Sequence, residues 1–498
     1  MRGYWVVAAV TVFAVILAGC ADSNQAVKDR IASLENGLMP IIASGGGPEQ
    51  AMALNARMAH YLSPAVSVAV INNGGLEWAK AWGNIESGQT RAADMKTRFQ
   101  ACSLSKPVAA ASLMTMVQEG ALRLDDDANM LLKSWKIPQN AFTAQKAVTA
   151  RMLMSHTSGI NVGGFGGYAA GAALPTLVQI LNGQPPANNE AVLVVGVPGG
   201  AYSYSGGGYE VIHQLLQDLS GEALADFAQE RLFRRLWMTS SSYVQPPAEA
   251  DLAVLASGHD GDGTVITGKF HIYPELGAAG LWTTPGDLAR FLMEMQQAAG
   301  GHGAVLTAAT AGEMLTRQVS IGEGGDFGLG FMLNDGAWGQ RFSHSGANAG
   351  FRTFMVAYRD RGQGVVIMTN SENGLGLIQE ILYGISRIYG WPDYKPQVAD
   401  VVPIPQEDLQ TAPGRYAEEG GSRLFDLIAS DGALMISVVE PLSSRADLYP
   451  VRGGSYLMKM PFPGELALER DAPGGVVTGM AITTSSGVIK AAKVAGQK

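Results

Sequence analysis

The stretch that most constrains this chain is the helix start at Ser103. Phe99 to Lys106 reads Phe-Gln-Ala-Cys-Ser-Leu-Ser-Lys, and Pro107 then opens an apolar, helix-forming run that reaches Glu119 and is closed by Gly120. A proline in the first turn gives up only an N–H that has no helical partner anyway. Residues three apart share a helix face, so the Ser103 hydroxyl and the Lys106 amine can meet. The helix start adds free N–H groups and partial positive charge beside Ser103. That pattern suits attack by Ser103 on a carbonyl with Lys106 as proton acceptor. The same spacing also describes a helix-capping serine followed by a surface lysine, so the rest of the chain must discriminate.

Its 498 residues allow two or three domains with a large core. Being 47% hydrophobic and 16% charged, the chain is globular and not disordered. A net charge of -9 and the lack of a basic stripe remove the electrostatic basis for binding nucleic acid or an anionic membrane surface.

Residues 1–20 read as a targeting segment. Arg2 is its only charge, Val6 to Leu17 is an apolar run too short for a comfortable span, and it ends Leu17-Ala-Gly-Cys20. It resembles a bacterial lipoprotein signal peptide, whose cleavage would leave Cys20 carrying lipid; an uncleaved signal anchor is the alternative. The expectation is an exported, periplasmic or cell-envelope protein anchored at Cys20. The one other cysteine, Cys102, is then unpaired and reads as a small buried core residue.

Along the chain, residues 21–50 read as an N-terminal linker and helix, with a second helix from Pro48 to Tyr61. Val66 to Ile71 reads as a strand, Asn72 to Gly75 as a turn, and Leu76 to Trp82 as the hairpin partner. Ala150 to Gly159 reads as a helix ending in a polar turn. Asn161 to Asn189, rich in Gly, Ala, Pro and Asn, has the composition of a site-lining loop or flexible insert. An amphipathic helix follows from Glu210 to Leu219, and Thr284 is placed to cap another. Gly328–Leu333, Phe342–Gly346, Arg352–Tyr358 and Gly364–Asn370 read as antiparallel strands, with a helix from Asn373 to Tyr389 after them. Pro392 to Pro405 reads as a linker. Six short strands at roughly ten-residue spacing, between Phe425 and Thr483, then indicate a small β-barrel or sandwich. The fold class is α/β (α+β): an antiparallel sheet flanked by helices, an all-α subdomain, and this small all-β domain.

Five stretches in order carry a family resemblance: Phe99 to Lys106, Leu153 to Gly159, Pro198 to Gly206, Gly280 to Leu288 and His344 to Phe351. As a set they resemble the class C β-lactamase-like serine hydrolases, a family that includes DD-peptidases, D-amino-acid peptidases and esterases. The resemblance implies a hydrolase domain over 51–392 and a lipocalin-like β-domain over 406–498. It implies Ser103 as the acylated nucleophile, Lys106 as its base partner, and Tyr204 as the tyrosine sharing proton transfer with the lysine. Independently of that, an ammonium beside a phenol in a partly dry cleft is expected to lower the pKa of both. His344, Ser345 and Gly346 stand where relatives have Lys-Thr-Gly, on the strand flanking the cleft, with Gly346 expected to let substrate approach the backbone. The Ala347 and Ser103 N–H groups would form the oxyanion hole. His156 reads as a structural residue of its turn.

Two departures bear on substrate. Tyr204-Ser205-Gly206 stands where the family commonly has Tyr-x-Asn, so an amide hydrogen-bond partner is missing. His344, mostly neutral at pH 7, replaces a lysine with fixed charge. Both point toward an esterase and away from an efficient β-lactamase. A D-Ala-type peptidase or weak β-lactamase is one alternative, and a non-catalytic, lipid-anchored wall-binding protein another. The absence of a Gly-x-Ser-x-Gly elbow argues against an α/β-hydrolase, and no clustered Cys/His or His-Glu-x-x-His site implies a metal or cofactor. The expected partner is a small ester, amide or wall-derived molecule.

Overall fold

The computed structural model describes residues 24–45, 51–430, 432–438, 444–459, 463–484 and 487–494. The stretch read as a signal peptide, with Cys20, lies outside them.

The central element is an eight-stranded antiparallel sheet. Its strands are β1 (Ala65–Asn72), β2 (Gly75–Gly83), β3 (Val319–Ser320), β4 (Asp326–Phe327), β5 (Met332–Gly336), β6 (Gly339–Asn348), β7 (Phe351–Tyr358) and β8 (Gln363–Thr369). Their order across the sheet is β2-β1-β8-β7-β6-β5-β4-β3. The Asn72–Gly75 turn makes the expected hairpin, and β1 then pairs with β8, Val70 opposite Val365. Side chains alternate between faces. Val66, Val68 and Val70 enter one core, while Ala65, Ala69 and Ile71 enter another. With helices on both faces, β1 is buried along its length from Ala65 to Ile71, Ser67 included, and has no exposed polar stripe.

The first face is covered by helix α1 (24–35), α2 (Leu54–His60) and the long helix of Gly374–Tyr389. The other face carries α3 (Ser105–Gln118), α4 (Ala150–Met154), α5 (Gly206–Ser220), the single turn α6 (Leu276–Ala279) and α7 (Pro285–Ala299). Thr284 caps α7 as expected, accepting the Asp287 N–H at 3.2 Å. The long helix after β8 is α8.

Several expected boundaries shift. Helix α2 begins only at Leu54, because Met52 is pinned by a backbone pair with Leu38. Helix α5 begins four residues early, at Gly206, with Ser205 as its cap. Gly328–Leu333 is a tight turn, not a full strand: the Gly328 N–H reaches the Phe331 carbonyl, and Gly330 has φ +91°. A side chain on Gly330 would meet Pro107 Cα at 3.0 Å, so the turn lies directly on α3. The stretch read as a linker is strapped down, since Gln397–Ala399 pairs in parallel with Ile42–Ser44.

The C-terminal unit is a closed barrel of eight strands in sequential order. They are β9 (Gly414–Glu418), β10 (Leu424–Ser430), β11 (Ala433–Val438), β12 (Ser444–Pro450), β13 (Ser455–Met458), β14 (Gly464–Arg470), β15 (Val477–Thr484) and β16 (Gly487–Lys493). The two strands not expected, β9 and β16, pair with each other and close it. Its interior is filled by alternating side chains such as Phe425 and Leu427, Leu434 and Ile436, Met480 and Ile482.

The barrel docks on α2 and α8, away from α3. Asp447 of β12 receives Arg57 Nη2 at 2.7 Å and His60 Nε2 at 2.6 Å. Arg57 also holds Glu380 of α8 through two bonds of 2.8 and 2.7 Å, and the Tyr61 hydroxyl donates to the same carboxylate at 2.9 Å. Removing one partner strands the others in a partly dry interface. Asp447→Ala should lower stability by about 3 kcal/mol. Asp400→Ala, which breaks only an exposed pair with Arg452, should change it by less than about 1 kcal/mol. Urea unfolding of the two variants checks this, and equal effects would contradict it.

Candidate active site

Ser103 lies in a 3-10 turn, Cys102–Leu104, that runs straight into α3. The residue before it, Cys102, has φ +55°, a left-handed conformation that non-glycine residues avoid at roughly 1–2 kcal/mol. The surroundings hold it there. The Ser105 hydroxyl donates to the Cys102 carbonyl at 2.6 Å, and the Ala101 N–H to the Leu281 carbonyl at 2.8 Å. Strand β6 presses from the other side: a Cβ on Gly346 would sit 2.8 Å from both the Ala101 oxygen and Cys102 Cβ. Gly346 thus admits the serine turn itself, rather than a substrate, against the sheet.

Lys106 is almost wholly buried, and its Nζ lies 3.2 Å from Ser103 Oγ. Nζ also donates to the Ala278 carbonyl of α6 at 2.8 Å and stands 5.0 Å from the centre of the Tyr204 ring. Burial brings its pKa down to about 7, against an opposing pull from Glu210. Glu210 is fully buried on α5. One carboxylate oxygen accepts the Ala278 N–H at 2.8 Å, and the other lies 2.9 Å from His213 Nδ1. Sequence reasoning missed both Glu210 and the Ala278 carbonyl. A Glu and a His three apart on one helix face was the available signal, but a glutamate at the start of an amphipathic helix reads as exposed.

Tyr204 hydrogen-bonds Ser103 through its hydroxyl, and burial raises its pKa well above the ordinary value. The expectation that the cation would lower it is therefore corrected. A lysine this dry is only partly charged near pH 7, so desolvation of the phenol wins. Tyr204 is positioned by His156, whose backbone carbonyl takes the Ser203 N–H at 2.8 Å and whose Nδ1 accepts the Ser205 N–H at 3.0 Å. That bond places the ring proton on Nε2. Burial and Lys106 hold His156 well below the usual imidazole range, so it is a neutral brace.

On β6, side chains alternate. Ser345 and Ala347 face outward, while His344 and Gly346 are buried. His344 packs 6.3 Å from the ring centres of both Tyr204 and Phe327, and its Nδ1 lies 2.7 Å from the Ser345 carbonyl. Burial, then Lys106, push its pKa down to about 3. Histidine at 344 in place of a lysine thus puts a neutral ring among the aromatic rings and no fixed charge there.

Ser103, Lys106, Tyr204 and the His344–Ala347 strand converge on one side of the sheet. Among the described residues, no group of acidic, His or Cys side chains is arranged to hold a metal. Such a set can take a proton from a serine hydroxyl and return it through a neutral phenol.

A model of the Beta-lactamase family matches residues 52–382. Penicillin-binding protein 4* of Bacillus subtilis is 24% identical over 362 residues, covering 66% of this chain and 72% of that protein. The D-aminopeptidase of Brucella anthropi is also 24% identical, over 325 residues; it matches 63% of this chain, which spans 58% of that enzyme's length. The octameric penicillin-binding protein homologue from Pyrococcus abyssi superposes with a TM-score of 0.59 at 18% identity, over 88% of this chain and 98% of that one.

The Cys102 thiol is fully buried, and burial pushes its pKa up to about 12. Iodoacetamide at pH 8 should leave Cys102 unmodified in the native protein and alkylate it in denaturant, read by peptide mass mapping. Native-state alkylation at a free-thiol rate would contradict this burial.

Proposed function

The chain belongs to the Beta-lactamase family of serine hydrolases, and from that premise we propose that it cleaves small carboxylic esters through an acyl-enzyme on Ser103. The observation that carries the reading is the 3.2 Å contact between Ser103 Oγ and a buried lysine whose pKa is lowered by burial to about 7. Ser103 oxygen attacks the ester carbonyl while its proton passes to the neutral Lys106 amine. The resulting oxyanion rests on the N–H groups of Ser103 and Ala347. Collapse expels the alcohol, which takes a proton through the Tyr204 hydroxyl. Water then attacks the acyl-enzyme with the same pair acting in reverse, releasing the acid.

Gly206 and the neutral, buried His344 supply neither an amide partner nor a fixed charge, and an ester with a good leaving group needs neither. The relative named as a D-aminopeptidase favours, as a second reading, an amide substrate with an amine leaving group. Lipid attachment at Cys20 and a cell-envelope location belong to the same proposal, with a small ester or amide as partner.

Ser103→Ala should abolish both turnover and fluorophosphonate labelling. Lys106→Ala and Tyr204→Phe should each reduce kcat/KM on the order of a hundredfold or more, and the double variant far less than the product. Multiplicative losses would mean the two act separately.

Because the base form of Lys106 is required, kcat/KM should rise with pH through about 7 and level off above it. A profile flat between pH 5 and 9 would remove Lys106 as the base. p-Nitrophenyl acetate should be hydrolysed more efficiently than nitrocefin or a D-Ala-D-Ala peptide, and the reverse order would overturn the ester reading.

A further inference from the structure

We propose that Phe165 is the residue that sets acyl specificity, its ring forming an apolar wall where family members place an amide. This rests on the ester-hydrolase reading above. Phe165 is the only side chain in Gly163-Gly164-Phe165-Gly166-Gly167. Its ring lies over Gly206, two residues from Tyr204: a Cβ at Gly206 would be 3.0 Å from Phe165 Cε2 and 3.4 Å from Cδ2. The Gly163 carbonyl would be 3.2 Å away as well. An asparagine at 206 is therefore not merely absent. Phe165 and the Gly163 backbone fill the space in which its side chain would begin.

The loop is tied down at both ends. The Gly206 N–H donates to the Gly163 carbonyl at 3.1 Å, and the Gly207 N–H to the Val162 carbonyl at 2.9 Å. The Gly166 carbonyl lies 2.9 Å from His271 Nδ1 and 3.3 Å from the Tyr273 hydroxyl. The same hydroxyl takes the Ala349 N–H, just beyond β6, at 2.9 Å. Gly164 and Gly166 have open space where their Cβ atoms would be, so crowding there does not dictate the loop path. What locates the ring is its seat on Gly206. Phe165 is only partly buried, which leaves part of its surface available to a ligand.

An aromatic wall rewards apolar acyl groups in proportion to the area they bury. It offers no hydrogen bond to an acylamino group, which would be dehydrated without a partner. A ring in that place favours compact aliphatic or aryl acyl chains and limits their length.

The test uses the full chain and p-nitrophenyl esters from acetate to octanoate, with nitrocefin as the acylamino probe. Phe165→Ala should raise the octanoate-to-acetate ratio of kcat/KM tenfold or more, and Phe165→Leu, a milder change less prone to misfold, should raise it by a smaller factor. Gly206→Asn alone should depress all esters, because it collides with the ring. Gly206→Asn with Phe165→Ala should recover ester turnover and gain on nitrocefin. An unchanged chain-length profile in both Phe165 variants, or a Gly206→Asn defect independent of Phe165, would overturn the inference. Fluorophosphonate labelling of Ser103 separates the two levels. A labelled enzyme with an unmoved profile refutes only the role of Phe165, whereas an unlabelled wild type refutes the hydrolase reading and this one with it.

Discussion

Keeping Lys106 dry is the constraint on which the rest of the site depends. Its nitrogen is held between Ser103 Oγ and the Ala278 carbonyl, so a neutral amine can donate to the carbonyl and still present a lone pair to the serine. A full ammonium there would have too few acceptors for its three protons. Glu210 supplies the counterweight. Through the Ala278 N–H it fixes the turn that carries the carbonyl, and its field keeps the lysine from losing its proton altogether. Burial of the lysine and burial of the glutamate on the neighbouring helix are therefore parts of one arrangement.

Close backbone approach is what builds that dry space. Gly330 lies on Pro107 and Gly346 on the Ala101–Cys102 turn, so a turn meets α3 and strand β6 meets the serine turn where a Cβ would hold them off. The left-handed Cys102 is the local strain that this packing sustains. His156 does the equivalent for Tyr204, gripping its loop through a carbonyl on one side and a ring nitrogen on the other.

The legible part of the sequence was whatever depends on local order. The Ser103–Lys106 spacing, the Thr284 cap, the hairpin at Asn72 and the buried Cys102 are all short-range patterns, and they recur in the structure. The strands closing the barrel were not legible. β9 and β16 contribute mainly Tyr416 and Ala491 to its interior, too little for a visible alternation. Nor was the ring of Phe165 over Gly206, or the direction of the Tyr204 pKa, because both are set by residues distant in sequence.

The order of strands across the sheet also dictates when the molecule can assemble. β1 sits between β2, its immediate neighbour in the chain, and β8, which follows the entire serine-bearing region. Each barrel strand, by contrast, pairs with the next one along except at the closure of β9 on β16. Long-range pairing is slow, since a large loop must close before any contact rewards it. Until β8 is made, the β1–β2 hairpin therefore has one edge of β1 bare, a row of backbone amides and carbonyls without ladder partners. Such an edge is a template for pairing with other chains. The stretch 65–72 is accordingly the edge that stays open longest, until Val365 and its neighbours pair with it.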